Sequence, residues 1–137
     1  MITICDTGPM VAYLNRNDPH HPWAVALMKQ LAPPLLTCEP VVTEAAYFLR
    51  EDDLDVGPLF DLLERNAIRL DFSLAAHWPR VRTLMSRYRQ MDLADAAVVV
   101  MTELYARCRV VTVDRRDFSV YRRNDRQAID FVAPPGR

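Results

Sequence analysis

From Met91 to Met101 the chain reads Met-Asp-Leu-Ala-Asp-Ala-Ala-Val-Val-Val-Met. Wound as a helix, this segment is apolar on nearly every side, so it has to be covered all round. It therefore belongs at the centre of a layered domain. Short apolar runs alternate with helix-patterned segments on either side of it. Strands are predicted at Ile2–Cys5, Leu35–Cys38, Ile68–Phe72, Arg109–Val113 and, more weakly, Ala128–Val132. Helices are predicted at Thr7–Leu14, Trp23–Leu31, Val41–Arg50 (with Pro40 at its start), Val56–Arg65 and Leu74–Tyr88. The central helix opens at Asp92 or a neighbour and runs to about Arg107. Pro79 has to fall in the first turn of its helix or kink it. Strands separated by helices give an α/β fold with a parallel sheet covered on both faces. Ligand sites in such sheets form beyond the carboxyl ends of the strands.

Composition narrows the function. The chain has 137 residues, a length suited to one domain, with 50% hydrophobic and 26% charged residues, which excludes a disordered chain. The longest apolar run, Ala96–Met101, is too short to span a bilayer. The N-terminus has neither a basic leader nor a signal-type apolar core, so a cytoplasmic protein without membrane attachment is expected. Cys5, Cys38 and Cys108 are odd in number and lack C-x-x-C spacing, which argues against a zinc ribbon or disulfide framework. They read as small buried hydrophobes at strand ends. Trp23 and Trp78 read as core or dimer contacts rather than base-stacking platforms. Residues 1–79 carry 5 basic and 11 acidic groups, whereas residues 80–126 carry 11 Arg and 6 acids. That segment suits phosphate contact, because guanidinium matches phosphate geometry.

Several acids stand where the surroundings look dry. Asp6 follows the first strand directly, and Asp114 follows the fourth, with Asp117 three residues on. Glu44 borders an apolar helical stripe, with Val41, Tyr47 and Phe48 as its neighbours. Asp92 and Asp95 enter the central helix on one face. Helix capping and turn formation compete with function at each position taken singly. Together, Asp6, Glu44, Asp95 and Asp114 fall on one edge of the sheet. Converging carboxylates repel, and hard divalent cations such as Mg²⁺ or Mn²⁺ relieve that repulsion. Such ions support phosphodiester cleavage. His20, His21 and His77 form no second metal cluster. A phosphotransfer site of the haloacid-dehalogenase type needs an Asp where Gly8 stands and a suitably placed Lys, and Lys29 is the only lysine.

The segments Ile4-Cys5-Asp6-Thr7-Gly8, Val42-Thr43-Glu44, Met91-Asp92-Leu93-Ala94-Asp95-Ala96 and Val111-Thr112-Val113-Asp114-Arg115-Arg116-Asp117-Phe118 resemble the motifs of the PIN-domain family, in order and across essentially the whole chain. The best likeness is to the VapC-type bacterial toxin ribonucleases. The resemblance implies a single PIN-like domain over residues 1–137, built as an α/β/α sandwich, with Mg²⁺-dependent endoribonuclease activity. It also implies an RNA substrate, a homodimer and a small antitoxin partner. Carried over by position, Asp6 and Asp95 match the metal ligands and Glu44 the third acid. The fourth role is split between Asp114 and Asp117, and Asp92 matches an acid that is less universal. Thr7 and Thr112 match supporting hydroxyls. Arg115 and Arg116 are candidates for RNA phosphate contact, with Arg87, Arg89, Arg122 and Arg123 behind them. A stand-alone PIN nuclease of RNA processing and a non-catalytic PIN-like binding module are the competing functions.

Overall fold

The computed structural model describes residues 1–136; Arg137, the end of the expected domain, lies outside them. The elements in order are β1 (Ile2–Cys5), α1 (Thr7–Leu14), α2 (His21–Gln30), β2 (Leu35–Thr37), α3 (Glu39–Glu51), α4 (Gly57–Glu64) and β3 (Ile68–Leu70). They continue with α5 (Leu74–Arg87), α6 (Leu93–Leu104), β4 (Cys108–Val111), α7 (Arg115–Val120), β5 (Arg122–Arg123), β6 (Gln127–Ala128) and β7 (Phe131–Val132). Five strands form one parallel sheet in the order β3-β2-β1-β4-β7, flanked by helices. The α/β sandwich expected from the sequence is what the chain adopts.

The strand order places the site. The chain builds outward from β1 to β2 and β3, then returns to the other side of β1 for β4 and β7. The order therefore reverses between β1 and β4, and a crevice opens beyond the carboxyl ends of those two strands. β1 and β4 pair over their whole length, from Ile2 opposite Cys108 to Cys5 opposite Val111. Asp6 continues the ladder, its backbone N–H donating to the Val111 carbonyl at 3.0 Å. Ile4, Cys5, Val110 and Val111 are fully buried, as strands covered on both faces require.

Helix α6 behaves as its composition demands. Ala94, all residues from Ala96 to Met101, and Thr102 are buried. It packs on β1 and β4, with α3 and α5 against it. On α3 the buried stripe is Val41, Ala45 and Leu49, whereas Tyr47 and Phe48 are exposed and pack edge-on to each other. The stripe that Glu44 borders is thus defined by Val41 and not by the two aromatics. Gly8 is needed in α1 because a Cβ there would lie 2.2 Å from Val113 Cγ2. Its absence lets the start of α1 approach the β4–α7 connection and narrows the crevice.

Several boundaries differ from expectation. Helix α6 stops at Leu104 rather than Arg107, and β4 begins one residue early at Cys108. Arg123 reaches into this turn and donates to the carbonyls of Tyr105 and Ala106. The segment after Asp114 is a short helix and not a plain turn. The fifth predicted strand, Ala128–Val132, is split: Ala128 pairs with Arg122 in an antiparallel hairpin, and only Phe131–Val132 joins the main sheet. Asn124 and Asp125 adopt positive φ (50° and 67°) in the three-residue loop that joins β5 to β6, and the Arg126 N–H closes the turn onto the Arg123 carbonyl at 3.2 Å. Pro79 falls in the second turn of α5, where it removes the donor for the exposed Ala75 carbonyl. Trp78 lies outside the core, 52% exposed, with the Arg82 guanidinium over its ring. Trp23 is half-buried, and all three cysteines are buried and free.

Candidate active site

Asp6 sits at the end of β1, in the N-cap position of α1, yet its side chain makes no capping hydrogen bond. Its carboxylate instead accepts from the Thr112 hydroxyl, which donates to Oδ2 at 2.8 Å. Thr112 follows β4 and is fully buried. Capping therefore does not account for Asp6. Burial pushes its carboxyl up to about 6, and repulsion from Asp92 and Asp114 adds to the rise. The Thr112 hydrogen bond pulls in the opposite direction.

Asp92 and Asp95 divide the labour at the start of α6. Asp92 is the N-cap: its Oδ1 accepts from the Asp95 backbone N–H at 2.8 Å. Asp95 is thereby released from capping and points into the crevice. Partial burial, with Asp92, Asp6 and Asp114 nearby, holds its carboxyl at about 7. The Tyr121 hydroxyl donates to its Oδ2 at 2.8 Å. Glu44, half-buried in the second turn of α3, accepts from the Thr7 hydroxyl at 2.8 Å. Desolvation raises its carboxyl too, and Asp92 and Asp6 push the same way.

Asp114 caps α7, its Oδ1 accepting from the Asp117 backbone N–H at 2.9 Å. Its own N–H donates to the Thr112 hydroxyl at 3.0 Å, so Thr112 joins Asp6 and Asp114. Asp117 is raised by desolvation and by Asp114 beside it. Each of the six acids singled out in the sequence thus lies within electrostatic reach of at least two others at the crevice. Asp92 and Asp114 also cap helices, so for them the structural role expected from sequence is real as well.

The arginines separate. Arg116 shares an open cleft with Gln90, Asp114, Asp117 and Val120. Arg115 turns the other way: its guanidinium donates to the Pro134 carbonyl at 3.1 Å and lies over the Phe131 ring. Arg87 pairs with Asp125, Arg122 donates to the carbonyls of Ser119 and Tyr121, and Arg123 holds the α6–β4 turn. The structure does not bring these four to the acids. Arg89 is exposed. On the opposite side, a groove of about 710 Å³ runs from Glu44 and Asp92 past Thr43, Phe72, Leu74 and Leu93.

Every donor facing the crevice from these acids is a carboxylate oxygen, the chemistry of a hard divalent ion. Burial and mutual repulsion, which raise these carboxyls, are what a cation would relieve. The acids ring the crevice without closing on a point. Among the described residues, no three His, Cys, Asp or Glu side chains form a ready-made ligand group. Mg²⁺ keeps several waters and is bound through one or two carboxylates, so the arrangement fits it.

Ribonuclease VapC26 of Mycobacterium tuberculosis (strain ATCC 25618 / H37Rv) is 28% identical to this chain over 124 residues, spanning 87% of this chain and 91% of the relative. The chain is thus similar to a VapC-type ribonuclease over most of its length. No protein-family model matches it. The residue that sequence reasoning missed is Tyr121. It is fully buried and 26 positions from Asp95, and no spacing rule links the two.

Proposed function

We propose that the chain is a metal-dependent endoribonuclease that hydrolyses RNA phosphodiesters, acting as the toxin of a toxin–antitoxin pair. One observation carries the catalytic half: Asp6, Glu44 and Asp95 face one crevice, each held by a neutral hydroxyl, with their carboxyls raised by burial and mutual repulsion. Asp6 and Asp95 would hold Mg²⁺, or Mn²⁺ in its place. When bound, such an ion supplies an activated water and offsets charge at the phosphodiester. Glu44, its carboxyl raised by desolvation and by Asp92 and Asp6, takes the proton released in hydrolysis. Asp114 and Asp117 extend the acidic edge, and Asp114 keeps the start of α7 in place. Arg116 faces the RNA backbone across that edge, where a phosphate needs a cation to offset the acids. By family resemblance the products carry 5′-phosphate and 3′-hydroxyl ends.

The named relative is a ribonuclease, which supports the RNA substrate. The antitoxin, the homodimer and the cytoplasmic setting rest on family resemblance. Among the described residues no helix is long and apolar enough to cross a membrane. The test is cleavage of structured RNAs by purified protein with Mg²⁺ or Mn²⁺ and with EDTA. Cleavage that stops in EDTA and returns with either ion is expected; cleavage unaffected by EDTA would reject the metal mechanism.

A further inference from the structure

Three carboxylates at the crevice are each held by one hydroxyl. Thr7 donates to Glu44, Thr112 to Asp6 and Tyr121 to Asp95, all at 2.8 Å. The two threonines lie next to site acids in sequence. Tyr121 comes from beyond α7, and its placement is built by three separate elements. Its ring is fully buried, edge-on to Phe118 at 5.2 Å and to Tyr88 at 5.1 Å. The Tyr88 hydroxyl accepts from the backbone N–H of Arg122, the next residue, at 3.2 Å. The β5–β6 hairpin that follows is tied down at its tip: Asn124 N–H donates to Glu103, and Asp125 pairs with Arg80 and Arg87. Arg80 also makes a two-pronged contact with Glu103.

We propose that Tyr121 is a positioning residue: its hydroxyl fixes the Asp95 carboxylate in the rotamer that meets the divalent ion. This rests on the reading of Asp95 as a ligand. A carboxylate at the first turn of a helix has rotamers that turn it toward solvent. A hydroxyl on one oxygen, carried by a ring that cannot move, selects the inward rotamer and leaves the other oxygen for the ion. Groups holding a ligating carboxylate in this manner typically contribute about 10–100-fold to metal affinity.

The experiment uses full-length protein without RNA and Mn²⁺ as the probe, with free Mn²⁺ followed by its paramagnetic resonance signal. Tyr121→Phe keeps the ring and removes only the hydroxyl. It should bind Mn²⁺ about tenfold or more weakly. Tyr13→Phe also removes one tyrosine hydroxyl, from a pocket lined by Met28, Leu35 and Ile68 that holds none of the site acids, and should leave Mn²⁺ affinity within about twofold, because it lies outside the ligand's own hydrogen bonds. In RNA cleavage, Tyr121→Phe should lower kcat at limiting Mn²⁺, leave KM for RNA unchanged and recover at high Mn²⁺. Wild-type affinity in a folded Tyr121→Phe protein, or equal weakening by both variants, would overturn the proposal. Should Tyr121→Phe not fold, wild-type protein with ring-labelled tyrosines provides the second measurement. One tyrosine ζ-carbon resonance should shift with added Mg²⁺, and no shift overturns the proposal. Mn²⁺ binding that Asp95→Asn leaves unchanged would instead overturn the reading of Asp95 as a ligand.

Discussion

Replacing Asp6 with asparagine should stabilise the metal-free protein at neutral pH. Asp6 is only 6% exposed, and its carboxyl is displaced from 3.8 to about 6. A carboxyl whose folded-state value lies above its unfolded value binds protons more tightly in the native state. The native protein therefore loses stability as pH rises from about 4 through about 6. A displacement of about two units, at 1.36 kcal/mol each, corresponds to a cost of about 3 kcal/mol at pH 8. Asparagine has no such charge, and its amide oxygen can still accept from Thr112. The Thr112 hydrogen bond to the charged form is already contained in that displacement, so the gain on substitution is about 3 kcal/mol. The assay is urea denaturation in EDTA, comparing wild type with Asp6→Asn at several pH values from 4.5 to 8. The variant's advantage should be small at the acid end and full by pH 8. Adding Mg²⁺ should reverse the order, since ligand at 1,000 times its Kd stabilises only the protein that binds it, by about 4.1 kcal/mol. A variant less stable than wild type at pH 8 without metal, or an advantage independent of pH, would refute the reasoning.

Two further outcomes are expected. Arg116→Ala should weaken RNA binding by the inactive Asp95→Asn protein and flatten its dependence on salt by roughly 0.7 to 0.9 log units per log unit; Arg115→Ala should leave the slope unchanged, since that guanidinium is engaged with Pro134 and Phe131. Expression of the chain alone should arrest growth, whereas Asp95→Asn should not; normal growth with soluble, active nuclease would remove the toxin role.

The strand–helix alternation and the central helix were legible because burial writes directly into residue pattern. The Ala96–Met101 run is apolar on every side that the fold covers, and Ile4 and Cys5 of β1 are fully buried. The acids were legible for the complementary reason: Asp6 interrupts a buried context where a charge is costly. What escaped depended on geometry that no local pattern encodes. The β5–β6 hairpin is built from Arg122, Arg123, Gln127 and Ala128, which show no apolar alternation; its turn and the ion pairs at its tip hold it. Tyr121 follows an ordinary helical segment, and only the return of the chain across α6 brings its hydroxyl to Asp95. Arg115 and Arg116 are adjacent and alike in sequence, but consecutive positions on α7 point in different directions.

The choice of hydroxyls to hold the acids has a consequence for the arginine-rich segment. An arginine on Asp6 or Asp95 would lower that carboxyl and satisfy its charge, removing the drive to bind a cation. A threonine or tyrosine orients the same carboxylate and leaves its charge uncompensated. The excess of arginine over acid in residues 80–126 is therefore spent away from the crevice. Arg80 and Arg87 anchor the hairpin through Glu103 and Asp125, Arg122 and Arg123 satisfy backbone carbonyls, and Arg115 ties α7 to the chain beyond β7. Composition counts these cations as a basic surface, but these five are structural. Arg116 stands beside Asp114 and Asp117, in a cleft shared with Gln90. A site built this way keeps its own negative charge and meets the RNA backbone with a cation at its rim.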